Sequence, residues 1–129
     1  MLVLLCCNLL GTQVMADDRA ALRLFTQDFY KAYAAAQDPE KFIGKSVKVT
    51  PGFKKAYTAF MKKQPGFDPV VQGQDVPSSG YQAEGVELSD YKATVTMTPR
   101  DKGFATLKVH VVWNGRNWLL NGVNGLKGK

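Results

Sequence analysis

From Tyr91 to Thr98, and again from Ala105 to Val111, apolar and polar residues alternate one for one, and Trp113 falls on the apolar side of the second run. Tyr91, Ala93, Val95 and Met97 interleave with Lys92, Thr94, Thr96 and Thr98. Ala105, Leu107, Val109, Val111 and Trp113 interleave with Thr106, Lys108 and His110. A period of two fits an extended strand with one buried face and one wet face. Pro99-Arg100-Asp101-Lys102-Gly103 separates the two runs as a turn. Asn114-Gly115 follows the second run, a pair that tolerates the positive φ of a two-residue hairpin. Arg116 to Val123 is then the return strand, with Trp118 as its core residue. Tyr81 to Leu88 reads as a preceding strand, with Gly85 as a bulge. Together these make an antiparallel meander of about four strands. The tail Asn124 to Lys129 is expected to fray.

Upstream the period changes. Leu22, Phe25, Phe29 and Tyr33 recur at helical spacing, backed by Ala32 and Ala36. Asp17 and Asp18 suit a helix start, where acids meet exposed N–H groups. Asp38-Pro39 marks its end. Glu40 to Val49 is ambiguous, with a short helical turn around Phe42 and Ile43 as one reading. Thr50-Pro51 opens a second helix, a capping residue followed by proline at the first helical position. Phe53, Tyr57, Phe60 and Met61 form its apolar stripe, and Lys54, Lys55, Lys62 and Lys63 lie largely on the other side. Pro65-Gly66 closes it. Phe67 to Gly80 is rich in Pro, Gly, Ser, Asp and Gln and reads as a long loop, a length that often carries function. Helices followed by a meander predict an α+β fold, with N-terminal helices packed on one face of an antiparallel sheet.

That order resembles the nuclear transport factor 2-like superfold, and more closely the bacterial exported domain-of-unknown-function 3828 family. The resemblance rests on Leu24-Phe25-Thr26-Gln27-Asp28-Phe29-Tyr30, on Asp68-Pro69 with Gln74-Asp75, and on Asn114 through Val123. It implies a curved, cone-like sheet wrapped around the helices, and an exported protein. It implies no particular activity.

Met1 to Ala16 carries no charged residue. Leu2 to Leu10 is apolar but for Asn8, and Val14-Met15-Ala16 supplies the aliphatic and small residues that suit a signal-peptidase cut. Cleavage is expected after Ala16, leaving residues 17–129 as one α+β domain in the periplasm or outside the cell. Leu5 stands before Cys6 where a lipoprotein leader needs a small residue. The other alternative is a buried N-terminal helix. The run is about half the ~20 residues of a membrane span, so no transmembrane anchor is expected. Cys6 and Cys7 are the chain's two cysteines. With both inside the leader, the mature domain would hold no disulfide, thiolate nucleophile or cysteine metal site.

Net charge is +6 at pH 7. Lys41, Lys45, Lys48, Lys54, Lys55, Lys62 and Lys63 run without an intervening acid, and Lys102 to Lys129 is again only positive. Such a field attracts anionic partners. Arginines are few and scattered, without the aromatic alternation that stacks bases, so nucleic acid is not the expected partner. His110 is the single histidine. It is read as a surface residue beside Lys108 and Thr106, and neither a triad nor a metal site is expected. No cofactor is implied.

Asp68 and Asp75 are the acidic candidates. Either could serve as a proton-transfer base in a nonpolar cone near a tyrosine, or simply bond local N–H groups in the loop. Tyr33 and Tyr57 are core positions whose polar tips could also line a pocket. Gln74 joins the loop candidates. The chain therefore reads as a non-enzymatic binding module for an acidic protein or a small ligand. An immunity or inhibitor protein of the periplasm is one concrete form. The alternative is a small enzyme with a cone-pocket Asp as general base.

Overall fold

A computed structural model describes the chain from Leu2 to Lys129, with side chains described from Asp18 onward. The expected leader, residues 1–16, lies outside the residues whose side chains are described. Three helices come first: α1 (Leu2–Ala35), α2 (Pro39–Lys45) and α3 (Pro51–Lys63). Five strands follow: β1 (Tyr81–Ser89), β2 (Lys92–Pro99), β3 (Leu107–Trp113), β4 (Trp118–Val123) and β5 (Leu126–Lys127). The strands form one open antiparallel sheet in chain order, and the helices pack against it. The protein is α+β, as the change of period requires.

The buried set of α1 is Leu22, Thr26, Phe29, Tyr30 and Tyr33. These positions share one helical face, and α1 lays it on β1 and β2. Thr26 is the one polar residue in that core, and its hydroxyl donates to the Leu22 carbonyl at 2.7 Å. Ala32, expected to back the stripe, is exposed, and Asp18 lies inside α1 rather than at its start. Asp38-Pro39 does more than stop α1. Asp38 caps α2 by accepting from the Lys41 N–H at 3.1 Å, with Pro39 in the first turn. The ambiguous segment thus holds a short helix around Phe42 and Ile43, with Ile43 in the core, and is non-helical from Ser46 on.

Thr50 caps α3 as expected, accepting from the Phe53 N–H at 3.1 Å. Its hydroxyl also donates to Asn121 Oδ1 at 2.6 Å, tying α3 to β4. Ala93, Val95 and Met97 of β2 and Leu107, Val109 and Val111 of β3 are all buried. Tyr91 and Ala105, the outermost members of the two alternating runs, are exposed. The bulge expected at Gly85 appears as a register shift between Ala83 and Val86. A second shift, between His110 and Val111, was not legible in the pattern. Such extra residues bend a strand.

Four expectations are corrected. The β3–β4 connection is a four-residue loop, Asn114–Asn117, closing on the Trp113–Trp118 pair. Gly115 takes positive φ, 99°, but Asn114 does not. Instead Asn114 Oδ1 accepts from the Arg116 and Asn117 N–H groups at 2.8 and 2.7 Å, and this side-chain turn replaces a two-residue one. Trp118 is half-buried, packing on the edge of the core. The tail does not fray. Leu126 and Lys127 pair with β4, and Gly128 donates to the Asn121 carbonyl at 2.7 Å. A Cβ on Gly128 would lie 2.5 Å from the Phe53 nitrogen, so only glycine admits this contact. His110, fourth, is half-buried: its ring sits against Thr94 Oγ1 at 3.3 Å and the Asn124 carbonyl at 2.9 Å. Burial, and behind it Lys127, holds its pKa below the ordinary value against the Asn124 contact.

Candidate functional site

Asp68 stands at the neck of the loop after α3. Its N–H donates to the Gly73 carbonyl at 2.8 Å, and the Gly73 N–H returns to the Asp68 carbonyl at 3.2 Å. Gln72 closes the turn in the left-handed region, φ 55°, with its amide donating to the Pro69 carbonyl at 2.7 Å. The turn drives Val70 and Val71 into the core, at 0% and 2% exposure. Two tyrosines meet their carbonyls there. The Tyr30 hydroxyl donates to Val70 at 2.8 Å, and that of Tyr81 to Val71 at 3.5 Å.

The Asp68 side chain completes the arrangement. Oδ1 accepts from the Val70 N–H at 2.8 Å. Oδ2 accepts from the Tyr33 hydroxyl, which also lies 3.2 Å from that of Tyr57. Three separate candidates, Tyr33 of α1, Tyr57 of α3 and Asp68 of the loop, therefore form one hydrogen-bonded cluster. Phe29 stacks on Tyr33 at 6.1 Å, and Phe42 meets it edge-on at 5.7 Å.

Burial raises the Asp68 pKa above its ordinary value, opposed by the Tyr33 hydroxyl and the Val70 and Val71 N–H groups. Burial, and next the bond to Asp68, pushes Tyr33 far above the normal tyrosine range. Tyr57 and Tyr81 are each pushed up to about 12, again chiefly by burial. At neutral pH these phenols are donors and never bases. Each Asp68 oxygen accepts from a protein donor, Oδ1 from the Val70 N–H and Oδ2 from the Tyr33 hydroxyl. The geometry is that of a lock holding the loop to α1 and α3.

The remaining candidates lie elsewhere. Gln74 and Asp75 are exposed, so of the two acidic candidates Asp68 alone is partly buried. Lys55, Lys62 and Lys63 are exposed on α3. Lys54 differs, being half-buried with its ammonium donating to the Gly44 carbonyl at 3.1 Å. Beside α3 runs a groove of about 610 Å³ lined by Pro51, Gly52, Lys55, Ala56, Lys127 and Lys129. The docking of the tail on α3 brings these three lysines together across more than seventy residues of sequence, and no acidic side chain lines the groove.

A further cleft of about 350 Å³ separates α1 from the 76–81 segment. Several of its polar groups are already engaged. Gln27 bonds the backbone of Tyr81 and Ala83, and Asp101 holds Ser78 and the Ser79 N–H. Lys31 and Arg100 are the cations that line it. Sequence reading missed this cleft and the roles of Tyr30 and Tyr81, whose partners are backbone carbonyls forty and ten residues away. Among the described residues no His, Cys, Asp and Glu cluster could hold a metal ion, and no helix is long and apolar enough to cross a membrane. Comparison with protein-family models, with curated proteins and with solved structures returned no match.

Proposed function

We propose that this protein is an exported, non-catalytic binding module of the cell envelope, and that its partner presents an acidic protein surface to the lysine face of α3. The observation that carries this reading is the groove where Lys55, Lys127 and Lys129 meet with no acidic side chain in its wall. Lys62 and Lys63 extend the same charge along the helix. Like charges gathered this way do not neutralise one another, so their field reaches outward and steers an acidic partner. A periplasmic immunity or inhibitor protein would use such a face. Kinship with the nuclear transport factor 2-like superfold and the exported 3828 family is part of this proposal and rests on the resemblance in sequence alone.

The test is association with immobilised polyglutamate and with an envelope extract across a salt series. Replacing the exposed Lys55, Lys62 and Lys63 with Gln should slow capture about tenfold or more at low salt, with the difference shrinking as the Debye length falls to ~8 Å at physiological salt. Equal capture by variant and parent at every salt concentration would remove the lysine face from the proposal. A second reading, an enzyme with Asp68 as base, draws on the raised Asp68 pKa beside Tyr33 and Tyr57. It requires an activity that disappears in Asp68→Asn while the lysine variant keeps it.

A further inference from the structure

One end of the sheet carries a second surface, on which no residue of α3 lies. Trp113 and Trp118 face each other across the β3–β4 hairpin, with ring centroids 5.3 Å apart and planes at 56°. With Phe25, Val47 and Leu119 they line an open groove of about 390 Å³, joined by the cations Lys48 and Arg116 and by Asn117. The groove is lined by no acid.

The three large apolar side chains that stand most exposed among the described residues are one wall residue of this groove and two neighbours of wall residues, by strand pairing and in sequence. Val47, 86% exposed, is part of its wall. Tyr91, 70% exposed, accepts at its carbonyl from the Trp113 N–H at 2.8 Å. Leu24, 62% exposed, immediately precedes Phe25. Scattered apolar residues on a surface need no explanation, but a contiguous aromatic and aliphatic patch marks a contact site. Tryptophan and tyrosine with protruding aliphatic side chains and flanking Lys and Arg are the composition that settles at a bilayer interface, rings at headgroup depth and cations on anionic phosphates. Asp90 stands in the β1–β2 turn next to Tyr91, with Lys92 on the other side of Tyr91.

We propose that this end of the sheet docks reversibly on an anionic phospholipid surface, with Val47, Trp113 and Trp118 entering the headgroup layer and Lys48 and Arg116 holding phosphate. The site is independent of the α3 lysines, so a bound membrane would leave that face open to a partner.

The chain has two tryptophans, both in this patch, so its intrinsic fluorescence reports on the site directly. The full chain is titrated with phosphatidylcholine vesicles containing phosphatidylglycerol, and with phosphatidylcholine alone. The expected result is a blue shift, with quenching by brominated lipid, on the anionic vesicles only. Val47→Asp should abolish the shift, and Arg116→Gln should weaken partitioning about fivefold. Both substitutions fall on exposed positions, and both variants share the apolar leader with the parent, so leader insertion cannot mimic the difference. Lys62→Gln with Lys63→Gln should leave the shift intact. No shift on anionic vesicles would overturn the proposal, as would a Val47→Asp variant that behaves like the parent. An equal loss in the α3 lysine variant would assign binding to overall charge and overturn it too. A shift produced by polyglutamate without lipid would make the occupant an acidic polypeptide and likewise overturn it.

Discussion

Asp68 shows how far a single side chain's meaning depends on its neighbours. In sequence it is an Asp before a proline, equally suited to a turn or to catalysis. In the fold its oxygens take the Val70 N–H and the Tyr33 hydroxyl. Tyr33→Phe removes a donor from a largely buried carboxylate and should cost about 1–3 kcal/mol in a denaturant titration. The pH dependence carries a defined sign. Burial raises the folded pKa above the ordinary 3.8, so the folded state holds the proton longer than the unfolded chain does. The resulting stability is fully present below the unfolded pKa and is lost as pH rises through the folded pKa. Relative to Asp68→Asn, which cannot titrate, the parent should be most stable below pH 3.8 and lose ground as pH rises to 7. Urea midpoints across that range measure it, and a constant difference would show that the Asp68 pKa is the same folded and unfolded.

At the scale of elements, the tail of the chain does more than its composition suggests. β5 pairs only Leu126 and Lys127 with β4, yet Gly128 then lies flat on the start of α3. Gly128→Ala forces a methyl group toward the Phe53 and Gly52 backbone and should destabilise the protein by about 1–3 kcal/mol. It should also free the tail, read as faster hydrogen exchange at Gly128 and faster tryptic cleavage after Lys127. Unchanged exchange would mean that the tail does not hold this contact. The hairpin gives a contrast. Leu107 is fully buried in β3, whereas Trp118 only half covers the core edge. Leu107→Ala should cost about 2–5 kcal/mol, and Trp118→Ala clearly less. Thermal melts rank the two, and a larger loss for Trp118 would place its ring deeper than described.

At the scale of the whole molecule, the proposed export is open to a direct test. Export with cleavage after Ala16 predicts that material recovered from the periplasm begins at Asp17 by N-terminal sequencing. A chain that keeps Met1 in the cytoplasm would contradict export, and the docking tests on purified protein would still stand. One domain of this size buries roughly two-thirds of its unfolded surface, and its core spans all three helices and all four long strands. Stability therefore rests on packing between elements, and loosening the loop lock or the tail should be felt throughout.

Periodicity alone determined the class of this protein. Leu22, Phe29 and Tyr33 at helical spacing and Ala93 through Val111 at period two each leave one side apolar, and water forces those sides together. Thr50-Pro51 and Gly85 were legible as well, because a cap and a bulge are local chemistry. Tertiary structure alone decided the sites. Tyr33, Tyr57 and Asp68 stand out singly in the sequence, but nothing in their spacing shows that they share hydrogen bonds. Lys55 meets Lys127, and Val47 meets Trp113, only because β4 carries the tail back to α3 and the β3–β4 hairpin back to the 47–48 segment. Contacts between residues distant in sequence are set by how whole faces pack, and no local pattern of side chains encodes that.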